Sequence, residues 1–204
     1  MKNLLKITSI CLVFTLFSCG GSDAPQMNTK DGLEKIKTIA NEKFGSDMEV
    51  YSMTIYSQED LNSSLGLVTI KYIKDGKRYS RMYSEKTAHT EAKLQDEKAD
   101  SDSFQKKLFL DKAQGKMKIS DIDTDKIIAN IDKALTIIGE DVATHQLRNY
   151  TINVDPKTNA ITSNFELHVT QTGEGTSIEG RNIVTNFYEA NFEADAEGNV
   201  EMTD

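Results

Sequence analysis

Ile161-Thr162-Ser163-Asn164-Phe165-Glu166-Leu167-His168-Val169-Thr170 is the stretch from which the fold is read. Ile161, Ser163, Phe165, Leu167 and Val169 alternate with Thr162, Asn164, Glu166, His168 and Thr170. A period of two belongs to a strand with one face buried and the other wet. One such strand cannot bury its apolar face alone; it needs paired neighbours and a covering layer. Both stand beside it in the sequence. Upstream, Asp155-Pro156-Lys157-Thr158-Asn159 reads as a turn, since Pro156 has no N–H to give a ladder. Before that turn, Leu147 to Val154 reads as a strand with Tyr150, Ile152 and Val154 on one side. Downstream, Thr172 to Thr176 reads as a loop, and Asn182 to Ala194 as a last strand containing Val184, Phe187, Tyr188 and Phe192. The covering layer comes from Ile127, Ile128, Ile131, Ala134, Leu135 and Ile138, a helical stripe between the capping residues Asp123-Thr124-Asp125 and the stop Gly139.

The first half repeats this order. Leu33, Ile36, Ala40 and Phe44 recur at helical spacing between Asp31, a cap with Glu34 three residues on, and Gly45. Glu49 to Ser57 and Ser63 to Ile73 read as strands, Lys74-Asp75-Gly76-Lys77 as a hairpin turn, and Arg78 to Ser84 as the returning strand. Residues 85–103 are a polar excursion read as a loop. The apolar run Phe104 to Leu110 is ambiguous, and Lys116 to Ile119 reads as a short strand. The expected class is α+β, built of two helix-plus-three-strand units over residues 31–118 and 119–195, with antiparallel sheets carrying helices on one face. The two sheets either fuse or form two lobes. An acidic tail, residues 196–204, is expected to fray. Over residues 31–194 this element order resembles the tandem arrangement of the beta-lactamase inhibitor protein fold and, more loosely, repeated PepSY-type modules. The resemblance implies an envelope protein that inhibits or binds other proteins.

Of 204 residues, 24 are Lys or Arg and 32 are Asp or Glu, a formal charge of -8. That balance argues against a general nucleic-acid binder. Cys11 and Cys19 both precede the body, so no disulfide framework is available to it. Lys2 and Lys6 flank an apolar stretch, Ile7 to Phe17, too short for a stable span of about 20 residues and laid out as a secretory signal. Leu16-Phe17-Ser18-Cys19 resembles the lipobox of bacterial lipoproteins, with Phe17 bulkier than usual, and the Ser-Cys-Gly-Gly start resembles lipoproteins of the Bacteroidota. The resemblance implies removal of residues 1–18, diacylglycerol on the Cys19 sulfur and a third acyl chain, such as palmitate, on its new amino group. Residues 19–30 would then be a flexible tether. Several chains anchor firmly where one is marginal. The expected location is the cell envelope, probed from the periplasm or outside, with the outer membrane as the anchoring bilayer.

The body offers no evident catalytic set. His89, His145 and His168 are dispersed, and His168 falls beside Glu166 on the wet side of its strand. Asp121, Asp123 and Asp125 lack the Gly and Glu of a calcium loop and suit a helix N-terminus. Gly173-Glu174-Gly175-Thr176 lacks the Lys and following helix of a phosphate loop. No catalytic residue, metal or cofactor is expected. Lys71, Tyr79, Arg81 and Tyr83 are the candidates for a binding patch on an open sheet face, because tyrosine and arginine are common at interfaces. The expected function is a lipid-anchored binding or accessory protein recognising an envelope protein or polymer. A structural role in an envelope complex is the alternative, and an enzyme the least favoured reading. The first expectation is testable: Cys19→Ser abolishes lipid addition, seen as the missing acyl mass and a shift from membrane to soluble fractions, whereas unchanged mass and fractionation contradict it.

Overall fold

The computed structural model describes residues 24–99, 116–155, 157–173, 176–179 and 182–203. Cys19 and the run Phe104 to Leu110 lie outside them. Helix α1 (Lys30–Phe44) begins where Thr29 is extended and its hydroxyl accepts the Gly32 N–H at 3.2 Å. The cap is therefore Thr29, two residues before the expected Asp31, which instead sits in the first turn at the positive end of the helix dipole. Helix α2 (Thr124–Ile138) is capped by Asp123, whose carboxylate accepts the Lys126 N–H at 3.0 Å. Gly45 and Gly139 end the two helices at φ of 101° and 102°, a region side-chain-bearing residues avoid. The helices bury Leu33, Ile36 and Ala40, and Ile127, Ile131 and Ala134. They are tied together where the Lys37 ammonium donates to the Ile122 carbonyl at 2.7 Å and the Thr124 hydroxyl donates to Glu34.

The strands are β1 (Glu49–Val50), β2 (Ser52–Ser57), β3 (Leu65–Lys74), β4 (Lys77–Ser84), β5 (Lys93–Leu94), β6 (Lys98–Ala99), β7 (Met117–Lys118), β8 (Val142–Val154), β9 (Ile161–Gln171), β10 (Thr176–Glu179), β11 (Asn182–Thr185), β12 (Tyr188–Ala194) and β13 (Val200–Thr203). Among the described residues nine of them form one sheet, ordered β13-β12-β9-β8-β2-β3-β4-β5 with β6 also on β4. Every pairing is antiparallel. The fold is thus mixed α+β, with two helices packed against an antiparallel sheet. β2 and β8 meet in its middle, Met53 opposite Ile152 and Ile55 opposite Tyr150. These four side chains and both helices enclose one core. Under α2 the rings of Tyr150, Phe165 and Phe192 stack across β8, β9 and β12, at centroid separations of 5.1 and 5.3 Å. Asn130, buried on α2, donates to the Tyr150 hydroxyl at 2.8 Å, so the one polar tip in the row is satisfied.

Several elements differ from expectation. The tether is shorter: Met27 is fully buried, its N–H donates to the Ser63 carbonyl, and the Pro25 carbonyl accepts from the Leu65 N–H. A Cβ on Gly32 would stand 1.8 Å from the Gln26 carbonyl oxygen, so only glycine lets this strap lie against α1. The strand expected over 49–57 breaks at Tyr51, because β1 leaves to pair with β7. The polar excursion is a loop with two short strands folded back on β4. The strand expected over 182–194 is two: β11 pairs with β10 in a separate ribbon, and β12 joins the main sheet. Residues 196–203 are not frayed. β13 pairs with β12, and the turn before it is held by α2, Lys126 donating to the Ala196 carbonyl at 2.8 Å and Lys133 to the Gly198 carbonyl at 2.5 Å.

The void between the helices and the sheet measures about 20 Å³. On this measure a single water needs about 10–15 Å³, so the void has room for about one water and none for an apolar ligand of any size. Core and tail predictions follow from these contacts. Phe165→Ala, cut from the middle of the ring row, lowers unfolding free energy in urea by about 3–5 kcal/mol. Ending the chain at Ala194 also lowers the midpoint. An unchanged midpoint in the shortened chain would mean that β13 does not stabilise the sheet.

Candidate functional site

Both helices cover one face of the sheet; no described helix covers the other. Alternation and register fix what that second face carries. Ser52, Thr54 and Tyr56 of β2 lie opposite Asn153, Thr151 and Asn149 of β8. Beyond β8 come Thr162, Asn164, Glu166 and His168, then Glu189, Asn191 and Glu193. Beyond β2 come Leu67, Thr69, Lys71 and Ile73, then Met82, Ser80 and Arg78. Side chains link strand to strand: Thr54 with Thr151 at 3.0 Å, Asn149 to Glu166 at 2.8 Å, Asn153 to Asn164 at 3.0 Å and Asn164 to Glu193 at 2.9 Å. From β2 to β12 the result is a polar surface whose groups are positioned by one another, suited to hydrogen-bonding partners, while the β3–β4 side mixes Lys71 and Arg78 with Leu67, Ile73 and Met82.

Ser52, Thr54 and Thr170 on this face are buried, and so is the much larger side chain of His168. Its strand alternation is as expected, but the side chain is only 3% exposed. The Phe187 ring stacks on it at 4.5 Å, and the loop joining β2 to β3 approaches its other edge. Glu166, His168 and Glu189 each bring a ligand atom within 4.8 Å of the others. The partners decide how this cluster is wired. The Leu61 N–H points at Nδ1 from 3.5 Å, so Nδ1 accepts and the ring proton sits on Nε2, donating to Glu166 at 2.9 Å. A histidine that ligates through one nitrogen normally donates its other N–H to an acceptor. Here the other nitrogen faces a donor. The arrangement ties the loop to the sheet and is poorly set for metal ligation through Nε2. The only sequence signal for it was the spacing of Glu166 and His168; Glu189 and Phe187 arrive by pairing across strands.

The four expected patch residues are not brought together. The Asp75-Gly76 turn, with φ of 51° and 69°, pairs Lys74 with Lys77 and hence Lys71 with Ser80. Lys71 is exposed on the open face. Tyr79, Arg81 and Tyr83 pair with Tyr72, Ile70 and Val68 and point to the helix side. Tyr83 is buried in the core, Tyr79 stacks on Tyr72 at 5.9 Å, and the Arg81 guanidinium donates to the Gln95 carbonyl at 3.2 Å. The Tyr72 hydroxyl donates to Glu97 at 2.7 Å; burial and then this carboxylate push its pKa up to about 12. Burial and the Glu85 carboxylate push Tyr83 up to about 12 as well.

Where the strap meets α1, an open groove of about 1320 Å³ lies between the helix, the β2–β3 loop and the segment after β4. Gln58 spans it, donating to the Leu65 and Lys86 carbonyls, and Glu42 and Glu59 lie along its walls. No described helix is long and apolar enough to cross a membrane. No family model matches this chain, and comparison with curated proteins and with solved structures returns no match.

The raised tyrosines predict a pH dependence. Each phenol holds its proton more tightly folded than unfolded, so its stabilisation is complete below about pH 10 and is lost as pH rises towards about 12. Urea titrations between pH 9 and 12 are expected to show stability falling across this window, and less steeply in Tyr72→Phe. An equal slope in that variant contradicts the assignment.

Proposed function

We propose that this chain is an envelope lipoprotein, held at a membrane by acylated Cys19, that works by binding an envelope protein or polymer and not by catalysis. The open polar face of the sheet is its recognition surface. The observation carrying this reading is the place where the folded body begins. Ala24 is five residues after Cys19, and an extended chain covers at most about 3.6 Å per residue, so the strap starts within about 18 Å of the lipid-bearing sulfur. A body on so short a link keeps one end toward the bilayer. That end carries the strap, the β2–β3 loop and the groove, because Gln26 bridges to Ser64 beside the start of β3. The strands then run away from the membrane, and the open face stands sideways, accessible to neighbours in the same envelope layer. The acidic body is not drawn to anionic head groups, which leaves attachment to the lipid.

We also read the chain as a tandem of two helix-plus-three-strand units: α1 with β2, β3 and β4, and α2 with β8, β9 and β12, joined edge to edge at β2 and β8. The matching element order supports this, as does the placement of each trio on its own side of the joint. It is the arrangement expected from the likeness to the beta-lactamase inhibitor protein and PepSY modules.

Photo-crosslinkers placed in intact cells test the recognition surface. Positions Thr69 and Asn191 on the open face are expected to give crosslinked species, and Thr136 on the exposed side of α2 none. Crosslinks from Thr136 alone would move the recognition surface to the helices.

A further inference from the structure

The two edges of the main sheet differ. At one, β5 and β6 are two residues each and carry Lys93 and Lys98, short and charged strands of the kind that discourage further pairing. At the other stands β13, Val200-Glu201-Met202-Thr203, which among the described residues pairs with β12 alone. A strand with one neighbour turns the N–H and C=O groups of alternate residues outward and unpaired. This edge has neither lysine nor proline. On the open-face side Glu201 lies directly opposite Glu193, a like-charge pair that weakens the sheet. Among the described residues the Glu201 carboxylate makes no hydrogen bond or ion pair, and that of Glu193 accepts only from the Asn164 amide, at 2.9 Å. Both line a surface hollow of about 320 Å³, whose other acid, Asp195, is bonded through both oxygens to Asn199. On the helix side Met202 is 50% exposed. Ile137, 45% exposed, continues the stripe of α2 from which Lys126 and Lys133 hold the turn before β13.

We propose that the outer edge of β13 takes up an extended segment of another protein as one more strand, and that this segment carries a basic residue between two large apolar ones. Backbone hydrogen bonds to the bare edge supply the attachment, and alternate side chains select the sequence. The basic residue stands opposite Glu201, and its long side chain lies over the hollow toward Glu193. Its two neighbours turn to the other face, opposite Val200 and Met202, on the side where Met202 and Ile137 leave apolar surface uncovered. The unpaired acid and the exposed apolar groups lie on opposite faces of one strand, so an alternating segment meets both, whereas a free cation or an amphipathic helix leaves the backbone edge unpaired. A second copy of this chain fits poorly: β13 contains no base, and β5 and β6 offer two residues each.

This contact uses the backbone edge of β13 and not the centre of the open face, and it stands with or without the lipid at Cys19. Adding the strand turns β13 from an edge into an interior strand, so the outward amides of β13 gain protection from hydrogen exchange when the segment binds.

The test titrates capped peptides into the isotope-labelled full chain in detergent and follows its amide resonances. The probes are Thr-Ile-Arg-Ile-Thr, the same peptide with Glu in place of Arg, and the Arg peptide N-methylated on every second amide, made in both phases. Shifts are expected in β13, β12 and the end of α2, with the Arg peptide bound about fivefold or more tightly than the Glu peptide. Glu201→Lys, which removes the like-charge pair, is expected to invert that order. One methylated phase is expected to lose binding and the other to keep it, because only one set of amides faces the edge; this arm needs no variant and stands if Glu201→Lys fails to fold. Equal binding of the Arg and Glu peptides, equal binding of both methylated phases, or shifts that leave β13 unmoved overturns the proposal. So does a peptide-free dimer that the Arg peptide dissociates in sedimentation, since the edge then belongs to a second copy. Crosslinks from Thr69 with no peptide bound at β13 reject the edge and leave the open-face reading standing.

Discussion

The structure depends on the pairing of β2 with β8. These strands lie about a hundred residues apart in sequence, and five residue pairs join them, from Ser52 with Asn153 to Tyr56 with Asn149. Without that pairing, β2-β3-β4 and β8-β9-β12 would each be a three-stranded sheet with one helix and a bare central edge, a state that invites aggregation. With it, Met53, Ile55, Tyr150 and Ile152 form the floor on which both helices rest, while Thr54 and Thr151 are bonded on the opposite side. Closing so long a loop costs conformational entropy that grows only slowly with length, and the apolar floor offsets it.

The two faces then divide the work. The helix side is nearly void-free and carries the stacked rings, so it supplies stability. The open side between β2 and β12 is a lattice of hydroxyls, amides and carboxylates held in place by mutual hydrogen bonds, which in the proposed binding role would give a partner a surface that needs little ordering. The short link to Cys19 and the strap on Gly32 fix which end of this platform looks toward the membrane in the lipoprotein reading. In that reading, recognition and orientation both rest on the same central joint.

Much of the architecture is legible in the sequence because it is local. Both helix stops are glycines, the alternation of Ile161 to Val169 marks its buried face, and the Asp75-Gly76 turn sets a hairpin. That turn also determines register: a two-residue loop pairing Lys74 with Lys77 places Lys71 opposite Ser80 and Arg81 opposite Ile70. The division of the four patch residues between faces was therefore readable, and only the grouping by composition obscured it. Other features have no local signal. His168 is polar by position yet buried, because Phe187 and the β2–β3 loop arrive from elsewhere. Residues 196–203 look like a solvated acidic end, but Lys126 and Lys133 hold their turn from across the core.

Native-state hydrogen exchange tests the claim that the two halves are one cooperative sheet. Amides of β2 and β8, such as Ile55 and Tyr150, should open only with global unfolding, at the same free energy as those of β3 and β9. Two separate opening free energies, one for the half with α1 and another for the half with α2, would contradict it.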